Sequence, residues 1–290
     1  MMPPIKRRVF KNDEHQQRFE ADGYIILPIP DTQVIEELLQ LYYTTNSGIH
    51  EGFYASLYSN NTTYKTTVDE GVRNICGQLP NLYLDSYRPL GGTFLVKQSG
   101  ETSNLTVHQD WTIVDETIYT SVNFWLPLMD ITSNNGPFMA MKGSHLLFDV
   151  LRGSPHFPSP LDGLRDTINK NYLTELKVQK GEVLFHDHRL VHASPPNLTN
   201  KPRIVAGMLL IPHEAQALHH YYNSNHIIEV FEIDDHFYSH FNIGSRPNYP
   251  KIKEIENYVF PTLNPVQLKN LYHTTKPSLW QRLKSKFVKF

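Results

Sequence analysis

Thr93-Phe94-Leu95-Val96-Lys97-Gln98-Ser99-Gly100-Glu101-Thr102-Ser103-Asn104-Leu105-Thr106-Val107-His108-Gln109-Asp110-Trp111 decides the fold class. Two strand-like runs, 93–98 and 105–111, flank a Ser-, Gly- and Asn-containing segment that reads as a turn. The same texture continues through 120–127, 137–141, 174–178, 182–186 and 203–211, with Gly, Pro, Asn and Asp clustered between the runs. Many short strands without interleaved helices predict an antiparallel double sheet or barrel rather than a doubly wound sheet.

Outward from this core the pattern is weaker. Residues 13–22 are polar with a few apolar anchors, and Asp22-Gly23 leads into a short strand, Tyr24-Ile25-Ile26-Leu27-Pro28-Ile29. Thr32 is expected to cap a helix whose apolar positions Val34, Ile35, Leu38, Leu39 and Tyr42 follow a 3.6-residue period. Residues 43–80 read as loop and short helix, and Leu82 to Tyr87 resume regular structure before Gly91-Gly92 breaks it. The Pro- and Gly-containing stretch 146–173 reads as a long loop over one mouth of the barrel. With no internal repeat, low-complexity tract or linker, the reading is one domain over 1–290 with its core at about 93–212.

Composition excludes several function classes. The 290 residues are 40% hydrophobic and 19% charged, which suits a globular chain with one substantial core. Lys and Arg number 27 against 29 Asp and Glu, a formal charge of -2, so no basic field exists to attract nucleic acid or an anionic membrane. Cys76 stands alone, which rules out an intrachain disulfide and a cysteine-rich zinc site and fits a cytoplasmic location. The basic N-terminal residues are not followed by an apolar signal core, and no run is long enough for a transmembrane segment.

The chemistry lies in a few polar residues. Residues two apart on a strand face the same way, so His108 and Asp110 converge while Gln109 points away. A third ligand is available in His192, within His188-Arg189-Leu190-Val191-His192-Ala193-Ser194, although His186 and His188 also share a strand face and are rivals. Two imidazoles and a carboxylate hold ferrous iron on one side and leave the other open. The bland alternative is a set of hydrogen-bonded core histidines. Arg203 follows His192 by eleven residues, room for a tight turn and return on the adjacent strand, and it alternates with Val205, Gly207 and Leu209. An inward guanidinium needs an anionic partner, which a dicarboxylate supplies through paired hydrogen bonds; the alternative is a structural ion pair.

The fragments Leu95-Val96-Lys97-Gln98, Val107-His108-Gln109-Asp110-Trp111, Asn135-Gly136-Pro137, Gly143-Ser144-His145, Lys180-Gly181-Glu182-Val183-Leu184-Phe185, His192-Ala193-Ser194-Pro195-Pro196-Asn197 and Pro202-Arg203 together resemble the phytanoyl-CoA dioxygenase family of Fe(II)/2-oxoglutarate oxygenases. The resemblance spans roughly residues 12 to 245. It implies a mainly β fold, the cupin-like double-stranded β-helix or jelly roll with flanking helices. His108, Asp110 and His192 match the metal ligands, and Arg203 matches the residue that binds the distal carboxylate of 2-oxoglutarate. Asp110 also disfavours halogenation, since related halogenases lack this carboxylate.

Softer candidates surround these. Lys97, Thr106 and Ser194 are co-substrate-binding candidates, each with an ordinary structural alternative. Gln98, Asn123 and Trp125 are candidates for the substrate pocket, with a core role the alternative for Trp125. His145 is expected to support the fold or a pocket wall. Leu218-His219-His220-Tyr221-Tyr222 and the stretch 230–241 read as a polar, aromatic lid.

The resulting expectation is an enzyme that uses Fe(II), 2-oxoglutarate and O2 to hydroxylate an unactivated C–H bond. Its substrate is a small molecule, free or tethered to CoA or a carrier protein, in secondary metabolism. Desaturation, epoxidation and rearrangement begin from the same oxidant, and a non-oxygenase cupin-like metal protein is the rival outside the class. The tail 279–290, with Leu279, Leu283 and Phe287 every four residues and Arg282, Lys286 and Lys289 elsewhere, reads as a docking segment for its own domain, a homo-oligomer partner, a carrier protein or an anionic surface.

Overall fold

The computed structural model describes residues 7–45, 51–155 and 157–275. In chain order it contains α1 (Asp13–Asp22), β1 (Tyr24–Pro28), α2 (Gln33–Thr45), β2 (Phe53–Ala55), α3 (Thr62–Cys76), β3 (Tyr87–Lys97), β4 (Leu105–His108), β5 (Val122–Pro127) and β6 (Met139–Ala140). Then follow α4 (Arg165–Asn171), β7 (Thr174–Glu175), β8 (Glu182–Asp187), β9 (His192–Ser194), β10 (Arg203–Pro212), β11 (Leu218–Tyr222), β12 (Ile228–Glu232), α5 (Phe237–His240), β13 (Lys251–Ile255) and α6 (Pro265–Thr275).

A six-stranded antiparallel sheet, β1-β8-β5-β10-β3-β2, is the larger layer, and β4-β9-β6-β7 form a second antiparallel sheet. Period-two alternation sorts the side chains of the large sheet. Phe124 and Leu126, Val183 and Phe185, and Ile204 and Ala206 join the core beneath α1, α2 and α3, where they meet Phe19, Ile35, Leu38, Val68 and Val72. Their neighbours Asn123 and Trp125, His186, and Arg203 turn to the opposite face and line a cavity with Leu105, His108 and His192 of the second sheet. Each fully buried apolar side chain contributes about 1.5–3 kcal/mol. The helical layer therefore fixes the sheet whose other face carries the polar groups.

Several expectations change. Helix α3 occupies fifteen residues of the stretch read as loop and short helix. Its face was masked by charge: Lys65 and Asp69 are buried alongside Tyr64, Val68, Val72 and Cys76. Lys65 Nζ donates to the Phe241 carbonyl at 2.7 Å, and Asp69 Oδ1 accepts from Gly92 N–H at 2.6 Å. Gly91-Gly92 does not break the strand, because β3 runs through both. A Cβ at Gly92 would sit 2.9 Å from Val72 Cβ, so glycine admits α3 against the strand.

None of the described residues of 146–173 lines the cavity. The stretch includes α4, and its Phe148, Val150, Leu161, Leu164 and Ile168 pack with Val107, Met141 and Val191 in a separate core cluster. Strands β11, β12 and β13 form a third sheet, so the expected lid is partly regular structure, and Tyr238 of α5 is its residue that reaches the cavity. Cap chemistry also differs at α2, where the Asp31 carboxylate accepts from Gln33 N–H at 2.8 Å in place of the expected Thr32 cap. Among the described residues no helix is long and apolar enough to cross a membrane. The tail 279–290 lies outside the described residues.

Candidate functional site

His108 ends β4 and is the direct register partner of His192 on β9. The pairing brings the two imidazole centroids to 4.2 Å. Asp110 lies two residues past the strand, where its N–H donates to the His188 carbonyl at 2.9 Å and its own carbonyl accepts from Arg152 Nε at 2.6 Å. Ligand atoms of His108, Asp110 and His192 all lie within 4.8 Å of one another. His186 is close, its Nδ1 3.8 Å from Asp110 Oδ2, and both it and His188 border the cavity.

Both imidazoles are oriented for ligation. His108 Nδ1 is 2.7 Å from the Thr106 carbonyl, and His192 Nδ1 is 2.9 Å from that of Leu190. A carbonyl oxygen only accepts, so each Nδ1 carries the proton and each Nε2 keeps a free lone pair. Burial lowers the His108 pKa to about 4, with His192 adding to the effect, so the ring is neutral near pH 7. Burial opposes the charge of Asp110, yet His192, His188, His186 and His108 outweigh it and hold the carboxyl below its usual range. Phe138 stacks on the His192 ring at 4.9 Å and an interplanar angle of 9°.

Arg203 is the second pole of the site. It is 2% exposed, Nη1 donates to the Gly136 carbonyl at 3.2 Å, and Nε has no hydrogen-bond partner. Its guanidinium carbon lies 5.5 Å from the Trp125 ring centroid. Among the described residues no carboxylate pairs with it, and burial lowers its pKa to about 9. A buried cation with an unused donor, bordering the same cavity of about 170 Å³ as the His/Asp cluster, fits a dicarboxylate bound between them.

Arg203 does not return beside His192 in a hairpin. β9 belongs to the smaller sheet and β10 to the larger one, so the ligand and the guanidinium face each other across the cavity. Gln109, expected to turn away, borders the cavity while its Nε2 donates to the Arg189 carbonyl at 2.6 Å.

The softer candidates divide. Ser194 lines the cavity, with its hydroxyl donating to the Gly136 carbonyl at 2.9 Å. Asn123 and Trp125 line it too, and Asn123 Nδ2 donates to Asp110 Oδ2 at 3.3 Å. Lys97 is fully buried outside the lining, and its ammonium is spent on the carbonyls of Ser103, Ser194 and Pro195. It ties β3 to the end of β9 instead of meeting a co-substrate. A Cβ at Gly136, whose φ is +80°, would reach within 2.5 Å of Lys97 Cδ, so the turn that carries the carbonyl for Arg203 and Ser194 must be glycine. Thr106 is exposed and off the cavity; its carbonyl, not its hydroxyl, serves the site. Gln98 also lies off the lining, since the chain leaves β3 at Lys97. His145 supports the fold, with Nε2 3.1 Å from the Glu20 carbonyl.

Sequence reasoning missed Phe53, Tyr58 and Phe138 as cavity walls. The Asn135-Gly136-Pro137 fragment, which precedes Phe138 directly, was the available signal for one of them.

The model of the family described as phytanoyl-CoA dioxygenase matches residues 49–205, more than half of the chain. The chain belongs to this family. No curated protein matches it. Among solved structures, HygX from Streptomyces hygroscopicus, with nickel, 2-oxoglutarate and hygromycin B bound, aligns with a TM-score of 0.50 and 16% identity, covering 70% of this chain and 88% of that one. The 2-oxoglutarate-dependent carbocyclase SnoK from nogalamycin biosynthesis aligns at 0.48 and 18%, covering 71% and 86%, and the epimerase SnoN at 0.47 and 21%, covering 70% and 83%. The phytanoyl-CoA dioxygenase family and the two-histidine, one-carboxylate cluster make this chain a non-haem Fe(II)- and 2-oxoglutarate-dependent oxygenase, with an antiparallel β core and flanking helices.

Proposed function

We propose that the enzyme hydroxylates an unactivated C–H bond on the uncharged end of a small metabolite, free or carrier-tethered, in secondary metabolism. The two cavity-lining sheets form a jelly roll, and residues 1–290 make one catalytic domain that works in the cytoplasm.

In this reading His108, Asp110 and His192 hold Fe(II). Arg203 pairs with the distal carboxylate of 2-oxoglutarate, its charge held in place over Trp125, and Ser194 borders the same end. Iron held by these three residues would supply the coupling of 2-oxoglutarate oxidation by O2, giving succinate and carbon dioxide, to insertion of oxygen into the substrate. The protein's task is to bind, aim and exclude water. Apolar Leu57, Trp111, Ile113, Phe138 and Leu209 line the space beside the cluster and supply the dry wall.

The single observation that carries the proposal is the buried, carboxylate-free Arg203 on the same cavity as the His/Asp cluster. A second observation supports the uncharged substrate end. Among the described residues Asp110 and Arg203 are the charged side chains of the lining, so iron and 2-oxoglutarate consume both, and a buried ammonium or phosphate would find no further counter-ion among them. The test is succinate formation from 2-oxoglutarate by Fe(II)-loaded protein under air, with matched neutral, anionic and cationic small molecules added. Stimulation confined to neutral compounds is expected. Stimulation by the charged members alone contradicts the uncharged end, and no succinate under any condition contradicts hydroxylation.

A further inference from the structure

Asp110 has two carboxylate oxygens, and the fold treats them differently. Oδ1 lies 3.9 Å from His108 Nε2, on the side of the imidazole pair. Oδ2 accepts from Asn123 Nδ2 at 3.3 Å and stands 3.8 Å from His186 Nδ1. Asn123 and His186 are direct partners in the β5–β8 register, and both project into the cavity. One pair of neighbouring strands thus delivers a hydrogen bond from Asn123 to this oxygen and sets the His186 ring beside it, with His186 Nδ1 also 3.3 Å from the Asp187 carbonyl.

The backbone of Asp110 is already fixed from both sides, by the His188 carbonyl that accepts its N–H and by Arg152 Nε that donates to its carbonyl. What remains free is rotation of the carboxylate, and that rotation decides whether one oxygen or both can reach a metal. A donor on one oxygen selects between the two arrangements.

We propose that Asn123, through its hydrogen bond, and His186, through the Nδ1 side of its ring standing against the same oxygen, are positioning residues that hold Asp110 Oδ2 back, so that the carboxylate ligates through one oxygen and leaves coordination space for co-substrate. This rests on reading His108, Asp110 and His192 as the iron site. It reassigns Asn123 from the substrate to the carboxylate, and it makes His186 an outer partner of the cluster and not a fourth ligand. A strand-delivered clamp of this kind also explains why a polar pair stands on the sheet face opposite the helices, where Trp125 and Leu184 otherwise pack.

Cobalt(II) alone is the probe, because its visible absorption weakens as its coordination number rises and needs no turnover. Full-length wild type is compared with Asn123→Leu, His186→Leu and His186→Asn, the last keeping a donor where Nδ1 stood. Both leucine variants are expected to bind Co(II) about 10- to 100-fold more weakly, with reduced visible intensity as Oδ2 swings onto the metal. His186→Asn is expected to recover wild-type intensity. Asn123→Thr, which suits a strand and ends short of Asp110, replaces Asn123→Leu if that variant melts before binding is measured.

Leucine variants with wild-type affinity and spectrum overturn the clamp. So does a His186→Asn spectrum that signals a lost nitrogen donor, since His186 would then be a ligand. Wild type that binds no Co(II) overturns the iron site itself, a distinguishable failure.

Discussion

Arg203→Met separates the co-substrate role of this residue from a structural one, because the two roles predict opposite signs. Arg203 is 2% exposed and makes one hydrogen bond, through Nη1 to the Gly136 carbonyl. Its burial pulls the pKa from 12.5 to about 9, so the ligand-free protein carries a cost on the order of a few kcal/mol for holding the charge. Methionine keeps much of the stem volume and discards that charge. The ligand-free variant should therefore melt at the wild-type temperature or above it, by about 2–4 °C for each kcal/mol gained. Binding of 2-oxoglutarate should move the other way. Truncating one member of a buried, hydrogen-bonded charge pair costs about 2–5 kcal/mol, which at about 1.4 kcal/mol per tenfold weakens binding about 30- to 4,000-fold. The assay is thermal melting of Fe(II)-loaded protein under nitrogen with and without 2-oxoglutarate, together with calorimetric titration of 2-oxoglutarate. A variant that melts several degrees lower on its own, yet keeps wild-type affinity for 2-oxoglutarate, refutes the reasoning and makes Arg203 a structural cation.

Further outcomes follow from the same structure. Burial depresses His108 and His220 to about 4 and His186 and His219 to about 3 from an ordinary 6.5, so the native chain binds fewer protons than the unfolded one below that pH. Metal-free stability should be full above pH 6.5 and fall steadily as pH drops through 6.5 toward 3–4; a melting temperature flat from pH 7 to about 4.5 would contradict the buried neutral rings. Asp69→Ala leaves the Gly92 N–H without its acceptor and should cost about 1–3 kcal/mol in a denaturant melt without changing Fe(II) affinity. An unchanged midpoint would mean that the bond adds nothing. His108→Ala and Asp110→Ala should abolish Fe(II) binding by equilibrium dialysis while the chain stays folded, and retained stoichiometric iron in either would remove the triad.

The sequence made the site more legible than its surroundings. His108, His192 and Arg203 stand on strands and Asp110 just past one, and alternation puts His108 and Asp110 on one side, although it fails for Gln109. Sheet partnership is not local, however, and nothing between His192 and Arg203 announces that the chain passes from one sheet to the other. Lys97 and Thr106 misled for a similar reason. The identity of a side chain does not reveal that three carbonyls will surround its ammonium, or that the backbone oxygen and not the hydroxyl will meet the imidazole. Helix α3 was hidden because Lys65 and Asp69, polar by type, are buried through tertiary bonds to Phe241 and Gly92. Gly92 read as a breaker is in fact a contact point, a distinction that only the approach of Val72 decides.

The most direct test of the oxygenase site is the visible absorption of the metal-free protein after anaerobic addition of Fe(II) and then 2-oxoglutarate. A chelated 2-keto acid on iron held by His108, Asp110 and His192 should produce a charge-transfer band that requires both additions. The band should be absent in His192→Ala and should need far more 2-oxoglutarate in Arg203→Met. No band in folded, iron-loaded wild type, or an equal band in His192→Ala, would contradict the assignment.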